Sequence, residues 1–298
     1  MPLSTRLRGR ISPLSRSLRS TSAELAQAMR ELADVRAAGH DHAPAPPATG
    51  LVLDVGGGHD PHPRADVVVD KYLADDFERG GSLNLSKPVV IADAQALPFA
   101  DGTFSYVVAS HVLEHATDPR RFAAEFARVA PRGFVQVPSR ESELTFGWPF
   151  HPWLIDRDGD VLVFEPRGDQ RAPTGELFHE SYQSSALFRL WWAATRSTWH
   201  HSIEWEGEIQ VRVAGDSAAD ATATLDVERT VTELRIAAER GALQPLPPAL
   251  QAALCSPCCG GGLALDGEHA TCGRCGTSYP VIGGVPILLE EARQPAVA

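Results

Sequence analysis

The chain has 298 residues, of which 43% are apolar, so it can bury a core in one medium-sized domain and a smaller unit, which excludes disordered and fibrous proteins. Its formal net charge is −11, although residues 1 to 40 carry seven Arg against only three acidic side chains. The remainder is therefore strongly acidic, which disfavours nucleic acid as a partner outside the basic N-terminal arm.

No apolar run reaches the roughly 18 residues of a membrane-spanning helix, and the N-terminal stretch lacks the apolar core of a signal peptide. We therefore expect a cytoplasmic protein with no membrane partner. The Arg- and Ser-rich beginning is also typical of an organelle transit peptide, so that alternative stays open.

One helix is predicted in the N-terminal region, followed by the Pro- and Ala-rich linker HDHAPAPPATG. The helix could pack on its own domain or pair with a second copy, so a homodimer remains open. The apolar residues at helical spacing and the glycine that ends the pattern are Leu25, Met29, Leu32, Val35 and Gly39.

From residue 51 onward, short apolar runs alternate with helical spacing, which predicts an α/β doubly wound, Rossmann-like domain. Residues 118–130 are predicted as a helix with Phe122, Phe126 and Val129 on one face. The predicted strands are LVLDV (51–55), VVVD (67–70), VVIAD (89–93), FSYVVAS (104–110) and FVQVP (134–138).

Further elements are less regular. VLVFEP (161–166) and the stretch 202–215 are predicted as antiparallel strands near the sheet edge, and 225–241 as a helix that ends at a glycine. Residues 244–250, QPLPPAL, are predicted as a linker.

A glycine-rich turn follows the first predicted strand. Gly56, Gly57 and Gly58 allow a ligand to approach the backbone closely. The dinucleotide fingerprint would need a small third residue where Pro61 stands, which argues against NAD and FAD. Asp70 ends the second strand, where a carboxylate can bind ribose hydroxyls, and Asp93 ends the third. This arrangement favours S-adenosylmethionine (SAM).

Residues 51–138 resemble a class I SAM-dependent methyltransferase. LDVGGG is similar to the first family motif, VVVD to the second, and ADAQALPFADGTFSYVVASHVLEHATDP to the third and fourth. The resemblance implies that Asp54, Gly56 and Gly58 hold the methionine portion, Asp70 the ribose, Asp93 and Ala94 the adenine, and that Ser110 and His111 line the sulfonium. The cofactor residues that we predict are Asp54, Gly56, Gly57, Gly58, Asp70, Lys71, Asp93, Ala94 and Ser110.

The first crossover departs from this family pattern. Only eight residues separate Gly58 from Val67, whereas a full crossover needs about ten to twelve. We therefore expect a first helix of at most one or two turns. His59, Asp60 and His62 could bind a metal, or His59 could cover the cofactor carboxylate instead.

All five cysteines lie between residues 255 and 275. The pairs Cys255-x2-Cys258 and Cys272-x2-Cys275 predict a tetrahedral structural zinc site, while a redox role lacks the expected βαβ setting. Cys259 could be a buried small residue or could replace Cys258 as a ligand.

The tail SYPVIGGVPILLEEAR resembles the zinc-ribbon activator subunit of tRNA, ribosomal-RNA and release-factor methyltransferases. The resemblance implies that the ribbon covers an apolar sheet edge and that zinc serves folding rather than catalysis. The predicted units are 1–49 (helix and linker), 50–245 (methyltransferase domain) and 250–293 (zinc ribbon).

Methyl transfer mainly requires alignment of the acceptor with the methyl group. The sequence lacks Asn/Asp-Pro-Pro-Tyr after the fourth strand, which favours an oxygen, carbon or ordinary amine acceptor. His111 and His151 are the candidate bases, although His111 could instead only pack over the sulfonium. FGWPFHPW (146–153) could line the acceptor pocket, with His179 and Glu180 beside it, or form a core cluster.

We therefore predict methyl transfer to a small-molecule acceptor, with SAM and a structural zinc. A tRNA or protein methyltransferase and a non-catalytic SAM-binding scaffold stay open as alternatives.

Overall fold

The computed structural model describes Gln27 and residues 43–73, 81–214 and 225–294. The predicted N-terminal helix lies outside the described residues, apart from Gln27. No helix in the described part of the chain is both long enough and apolar enough to cross a membrane.

A ten-stranded sheet forms the centre of the molecule, in the order β10-β11-β12-β13-β3-β2-β1-β4-β5-β8. Its strands are β1 (Val52–Val55), β2 (Val67–Asp70), β3 (Val89–Ala92), β4 (Tyr106–Ser110), β5 (Arg132–Pro138), β8 (His200–Glu206), β10 (Leu263–Leu265), β11 (His269–Cys272), β12 (Ser278–Ile282) and β13 (Val285–Leu288).

The middle of this sheet is parallel, from β3 through β2, β1 and β4 to β5. These strands are apolar and almost completely buried, as expected for a parallel sheet that is covered on both faces. The α/β, Rossmann-like prediction is therefore confirmed. Because all five strands run in one direction, their carboxyl ends meet at one edge, where ligands bind in such sheets.

Seven α-helices accompany the strands in the described ranges. The helix α1 begins after Asp118, whose carboxylate caps the backbone N–H groups of Arg120 and Arg121, and it buries Phe122 and Phe126 as predicted. The helices are α1 (Pro119–Val129), α2 (Arg140–Phe146), α3 (Gly175–Ser184), α4 (Ala186–Ala194), α5 (Arg196–Trp199), α6 (Val227–Glu239) and α7 (Pro248–Ala252).

The connection from β1 to β2 contains no helix, and all of its residues are described. The expectation of one or two helical turns is therefore wrong. The chain instead makes tight turns, in which Asp60 donates to the carbonyl of Gly57 at 3.0 Å and Ala65 to that of His62 at 2.9 Å. Eight residues are fewer than a crossover with a helix needs. The buried Asp54 carboxylate also binds the backbone N–H of His62, which holds these residues in the turn.

A second, three-stranded sheet consists of β6 (Trp153–Asp158), β7 (Val161–Pro166) and β9 (Val211–Val213). The prediction that residues 161–166 lie near the edge of the central sheet is therefore wrong, because β7 pairs with β6 and β9. For the predicted stretch 202–215 the outcome is divided: β8 lies at that edge, antiparallel to β5, whereas β9 belongs to the second sheet and pairs in parallel with β7.

The cysteine-rich end extends the central sheet on its other side. β13 pairs in parallel with β3, so the edge of β3 is covered. Close to this pairing, the backbone N–H of Cys255 donates to the carbonyl of Pro98 at 2.9 Å. Tyr279 of β12 and Ile287 of β13 are fully buried.

Candidate functional site

The glycine turn lies at the carboxyl end of β1. Gly56 has a φ of +68°, and a Cβ built there would lie 2.2 Å from Cγ2 of Val112. At Gly57 a Cβ would lie 2.4 Å from a carboxylate oxygen of Asp54. Both positions therefore require glycine, and the turn packs directly against the segment that follows β4.

Asp54 is buried beneath this turn, with only 3% of its surface exposed. Its Oδ2 accepts a hydrogen bond from the backbone N–H of His62 at 2.6 Å. Burial, opposed by the hydrogen bond from His62 and aided by the nearby carboxylate of Asp70, raises the pKa of Asp54 to about 7. The carboxyl can therefore change charge near neutral pH.

We expect this shift to make stability depend on pH. A carboxyl with a raised folded-state pKa stabilises the fold below its unfolded pKa, and this contribution is lost as the pH rises through about 7. Asp54→Asn should remove the share of the pH dependence that comes from Asp54. Between pH 5 and pH 8, the free energy of unfolding of wild type should therefore fall by about 3 kcal/mol more than that of the variant. Urea denaturation at both pH values measures this difference. Asp158→Asn, at an exposed carboxylate, is the control, and parallel pH curves for wild type and Asp54→Asn would contradict the prediction.

The predicted ribose and adenine residues lie at the ends of β2 and β3. Asp70 accepts from the backbone N–H of Tyr72 at 3.0 Å. Lys71 Nζ and Asp93 Oδ2 form a partly buried ion pair at 2.7 Å, while Asp93 Oδ1 caps a short 3-10 helix through Gln95 N–H. Lys71 thus holds the Asp93 side chain in place, and the same contact lowers the pKa of Asp93 against the opposing effect of burial.

Ser110 and His111 end β4 beside the glycine turn, and Ala94 lies half-buried in the 3-10 helix after Asp93. His111 has a φ of +59° and is the only non-glycine residue with positive φ among those described. Such backbone strain in a residue with a side chain is found preferentially at functional sites. Its ring contacts that of His200, with centroids 5.0 Å apart.

His151 lies in a buried network of titratable side chains. Its Nδ1 is 2.6 Å from Glu143 Oε1, and Arg167 Nη1 is 3.3 Å from Glu143 Oε2. Burial lowers the pKa of His151 to about 3 and raises that of Glu143 to about 8. Sequence reasoning missed Glu143 and Arg167, because nothing in their spacing shows that they meet His151.

Glu114 lies in the same region and is fully buried. Burial acts to raise its pKa, but His111 lowers it below the usual range. Glu114, His115 and His151 each offer a ligand atom, and these atoms lie within 4.8 Å of one another.

The aromatic stretch 146–153 divides between core and surface. Trp153 is fully buried and donates its indole N–H to the carbonyl of Ala116 at 2.6 Å, so it belongs to the core. Trp148 is half-buried and stacks on Phe146 with centroids 5.2 Å apart. His179 contacts both of these rings, whereas Glu180 is exposed.

A pocket of about 690 Å³ lies between α5, β8 and the turn after β6. Its lining includes Arg157, Arg196, His200 and His201, and the ring of His200 is the one that His111 contacts. This basic pocket contrasts with the net negative charge of the chain and lies beside the end of β4.

The cysteines form a compact cluster. Cys258 Sγ lies 3.3 Å from Cys275 Sγ, and Cys259 Sγ lies 3.5 Å from Cys272 Sγ and 3.6 Å from Cys275 Sγ. Cys255 Sγ instead faces the carbonyl of Ala253 at 3.8 Å. The structure thus brings together three of the four predicted ligands, and Cys259 joins them.

The thiol of Cys272 has a shifted pKa. Burial acts to raise it, but hydrogen bonds from the backbone N–H groups of Cys275 and Arg274 lower the pKa of Cys272 to about 7. A thiolate is the form that binds metal, so this shift favours a metal ligand. His59 and Asp60, which sequence reasoning also considered for a metal, are exposed in the first crossover, while His62 is buried there.

Comparison with known proteins gives a domain family and one curated relative. Residues 67–136 match a methyltransferase domain family, Methyltransf_11. A demethylmenaquinone methyltransferase of Renibacterium salmoninarum is 38% identical over 107 residues, which cover 33% of this chain and 44% of the relative. The chain therefore spans less than half of the relative's length.

Solved structures show a weaker likeness. The YcgJ protein of Bacillus subtilis is 22% identical over 32% of this chain and 46% of its own, with a TM-score of 0.26. The PH0226 protein of Pyrococcus horikoshii is 17% identical over 43% of this chain and 69% of its own, with a TM-score of 0.29.

Proposed function

We propose that the chain is a SAM-dependent methyltransferase that transfers a methyl group from SAM to a small-molecule acceptor. The match of residues 67–136 to a methyltransferase domain family and the 38% identical methyltransferase relative support this proposal. The observation that carries this proposal is the glycine turn. Close packing of Gly56 on Val112 and of Gly57 on Asp54 holds this turn at the carboxyl end of β1, between the neighbouring strands β2 and β4.

The proposed cofactor site lies at the carboxyl ends of the parallel strands. We propose that Asp54, Gly56, Gly57 and Gly58 hold the methionine portion, and that Asp70 binds the ribose. Asp93, fixed by Lys71, would present Ala94 and its own backbone to the adenine. Ser110 and His111 would line the sulfonium, where bound SAM supplies an activated methyl group.

The acceptor is proposed to enter through the basic pocket. Arg157 and Arg196 favour an acceptor with a carboxylate or phosphate group. His111 would orient the acceptor atom and accept its proton where one must leave. The named relative acts on demethylmenaquinone, which supports a small-molecule acceptor for this chain. His151 is buried and hydrogen-bonded to Glu143. We therefore propose that it positions neighbouring side chains of the site and is not itself the base.

The domain organisation is part of the proposal. We propose a helix and linker at 1–49, the methyltransferase domain at 50–245 and a zinc ribbon at 250–293. A Zn–S bond of about 2.3 Å gives a tetrahedron edge of about 3.8 Å. The distances of 3.3–3.6 Å among four thiols approach this value. We therefore propose Cys258, Cys259, Cys272 and Cys275 as the zinc ligands, with Cys259 in the place first given to Cys255.

Titration of SAM and of S-adenosylhomocysteine tests the cofactor site. We expect micromolar binding to wild type and a loss of at least about 100-fold in Asp70→Ala, because two charge-assisted hydrogen bonds to the ribose are removed. Isothermal titration calorimetry measures both affinities. Asp158→Ala, which removes an exposed carboxylate of β6, should bind as wild type does. If folded wild type binds neither ligand, the methyltransferase proposal fails and a scaffold role gains weight.

A further inference from the structure

We propose that Glu114, His115 and His151 bind a divalent transition-metal cation, at a site separate from the cysteine cluster. One ligand atom from each side chain lies within 4.8 Å of the other two. Glu114 and His115 come from the turn after β4, and His151 comes from the loop between α2 and β6. The fold therefore brings the three side chains together from two distant segments.

Glu114 provides the main reason to place a cation here. Its side chain is fully buried, and neither carboxylate oxygen has a partner with good hydrogen-bond geometry in the part of the chain that the structure describes. His111 Nδ1 lies 3.3 Å from Oε1, at ion-pair distance, and is positively charged only when His111 is protonated. A buried carboxylate without hydrogen bonds is costly unless a cation compensates it.

The support around His151 resembles that of metal-binding histidines. Glu143 Oε1 contacts Nδ1 at 2.6 Å, which leaves Nε2 as the ring nitrogen available to a ligand. Arg167 holds the other oxygen of Glu143, and it also donates to the carbonyl of Trp148. A carboxylate that orients the histidine through its second nitrogen is the usual outer support of a metal ligand.

The remaining ring contacts fix His115. Its ring stacks on Phe150 at an interplanar angle of 7°, with centroids 5.7 Å apart, and it meets the His151 ring edge-on at 4.6 Å. The two imidazoles therefore have defined orientations before any cation arrives. Such preorganisation lowers the cost of binding.

The donor set indicates the class of cation. Two imidazole nitrogens and one carboxylate suit Zn²⁺, Mn²⁺ or Fe²⁺, whereas Ca²⁺ and Mg²⁺ prefer oxygen ligands. Three protein ligands leave positions open for water or for a small molecule. His111, with its Nδ1 beside Glu114, is placed to approach one of these positions.

The site lies next to the proposed methyl donor. Val112 is in the same turn as Glu114, and it contacts Gly56 of the glycine turn. If the proposed function holds, an acceptor oxygen bound to the cation would lie near the methyl group and lose its proton more readily. Cation binding itself does not depend on that function.

Cobalt titration tests the site directly. Co²⁺ is added to the full chain with its cysteine cluster saturated with zinc, and visible absorption is recorded. We expect one further equivalent to bind without the near-ultraviolet thiolate-to-metal band that a cysteine site gives. Glu114→Gln and His115→Gln should each weaken this binding at least about 100-fold, and Glu143→Gln about 10- to 100-fold.

The controls separate a bound metal from other effects. Glu141→Gln, at an exposed carboxylate on the same helix as Glu143, should bind Co²⁺ as wild type does. Circular dichroism and S-adenosylhomocysteine binding report whether each variant folds, and they report on the proposed function separately. Folded wild type that binds no further Co²⁺, or binding that is unchanged in both Glu114→Gln and His115→Gln, overturns the proposal.

Discussion

Removal of the proposed zinc is expected to unfold residues 250–293 and to lower the free energy of unfolding of the whole chain by several kcal/mol. Structural zinc sites bind with about 10–16 kcal/mol at pH 7 in isolated peptides, and that free energy stabilises the fold. Here the loss should reach the central sheet, because β13 pairs directly with β3. Cys272→Ser and chelation should both produce this result, measured by thermal unfolding together with zinc content.

Two matched variants assign the ligands. Cys259→Ser should lose zinc, because its thiol lies 3.5 Å from that of Cys272. Cys255→Ser should keep about one zinc per chain and nearly the wild-type melting temperature, because its thiol faces a backbone carbonyl. The opposite pattern would return Cys255 to the ligand set. Unchanged stability after complete zinc removal would contradict the structural role.

Substitution Gly56→Ala is expected to abolish SAM binding and to destabilise the fold by about 3 kcal/mol or more. The left-handed conformation costs a residue with a Cβ about 1–2 kcal/mol. The clash with Val112 adds the cost of forcing apart a packed contact, about 1–3 kcal/mol. Urea denaturation and S-adenosylhomocysteine titration measure the two effects.

The chain offers a control for each part of this cost. Gly102 has a φ of +64° and nothing within 4 Å of a built Cβ, so Gly102→Ala should lose only the conformational share and should keep SAM binding. Adding Val112→Ala to Gly56→Ala removes both Cγ atoms and should recover part of the stability. If the two single glycine variants are equally unstable, the contact with Val112 carries no cost.

The parallel strands could be predicted because burial on both faces requires apolar runs, and β2 begins and ends where the sequence places it. The helix α1 could also be predicted, because its capping Asp118, its Pro119 and its apolar face are all local signals. The strand β7 was predicted as a strand but with the wrong neighbours. Pairing partners depend on the path of the chain between strands, which local patterns do not contain.

The candidate site shows the same division. The glycines and the acids at strand ends are local signals, so the sequence alone led to SAM. Glu143 and Arg167 were missed, because their approach to His151 requires α2 and the second sheet to be in place. The proposal of Cys259 rather than Cys255 as a zinc ligand depends likewise on the directions in which a short turn points its side chains.

By itself, the sequence determined the class of fold, the location of the glycine turn and the presence of a cysteine-rich module, because periodicity, glycine and cysteine spacing act over a few residues. Only the tertiary structure decided that β13 covers β3, that Val112 packs on Gly56 and that Glu114 is buried with His115 and His151. These contacts join residues far apart in the chain, and their energies arise from burial and packing that exist only after the segments meet.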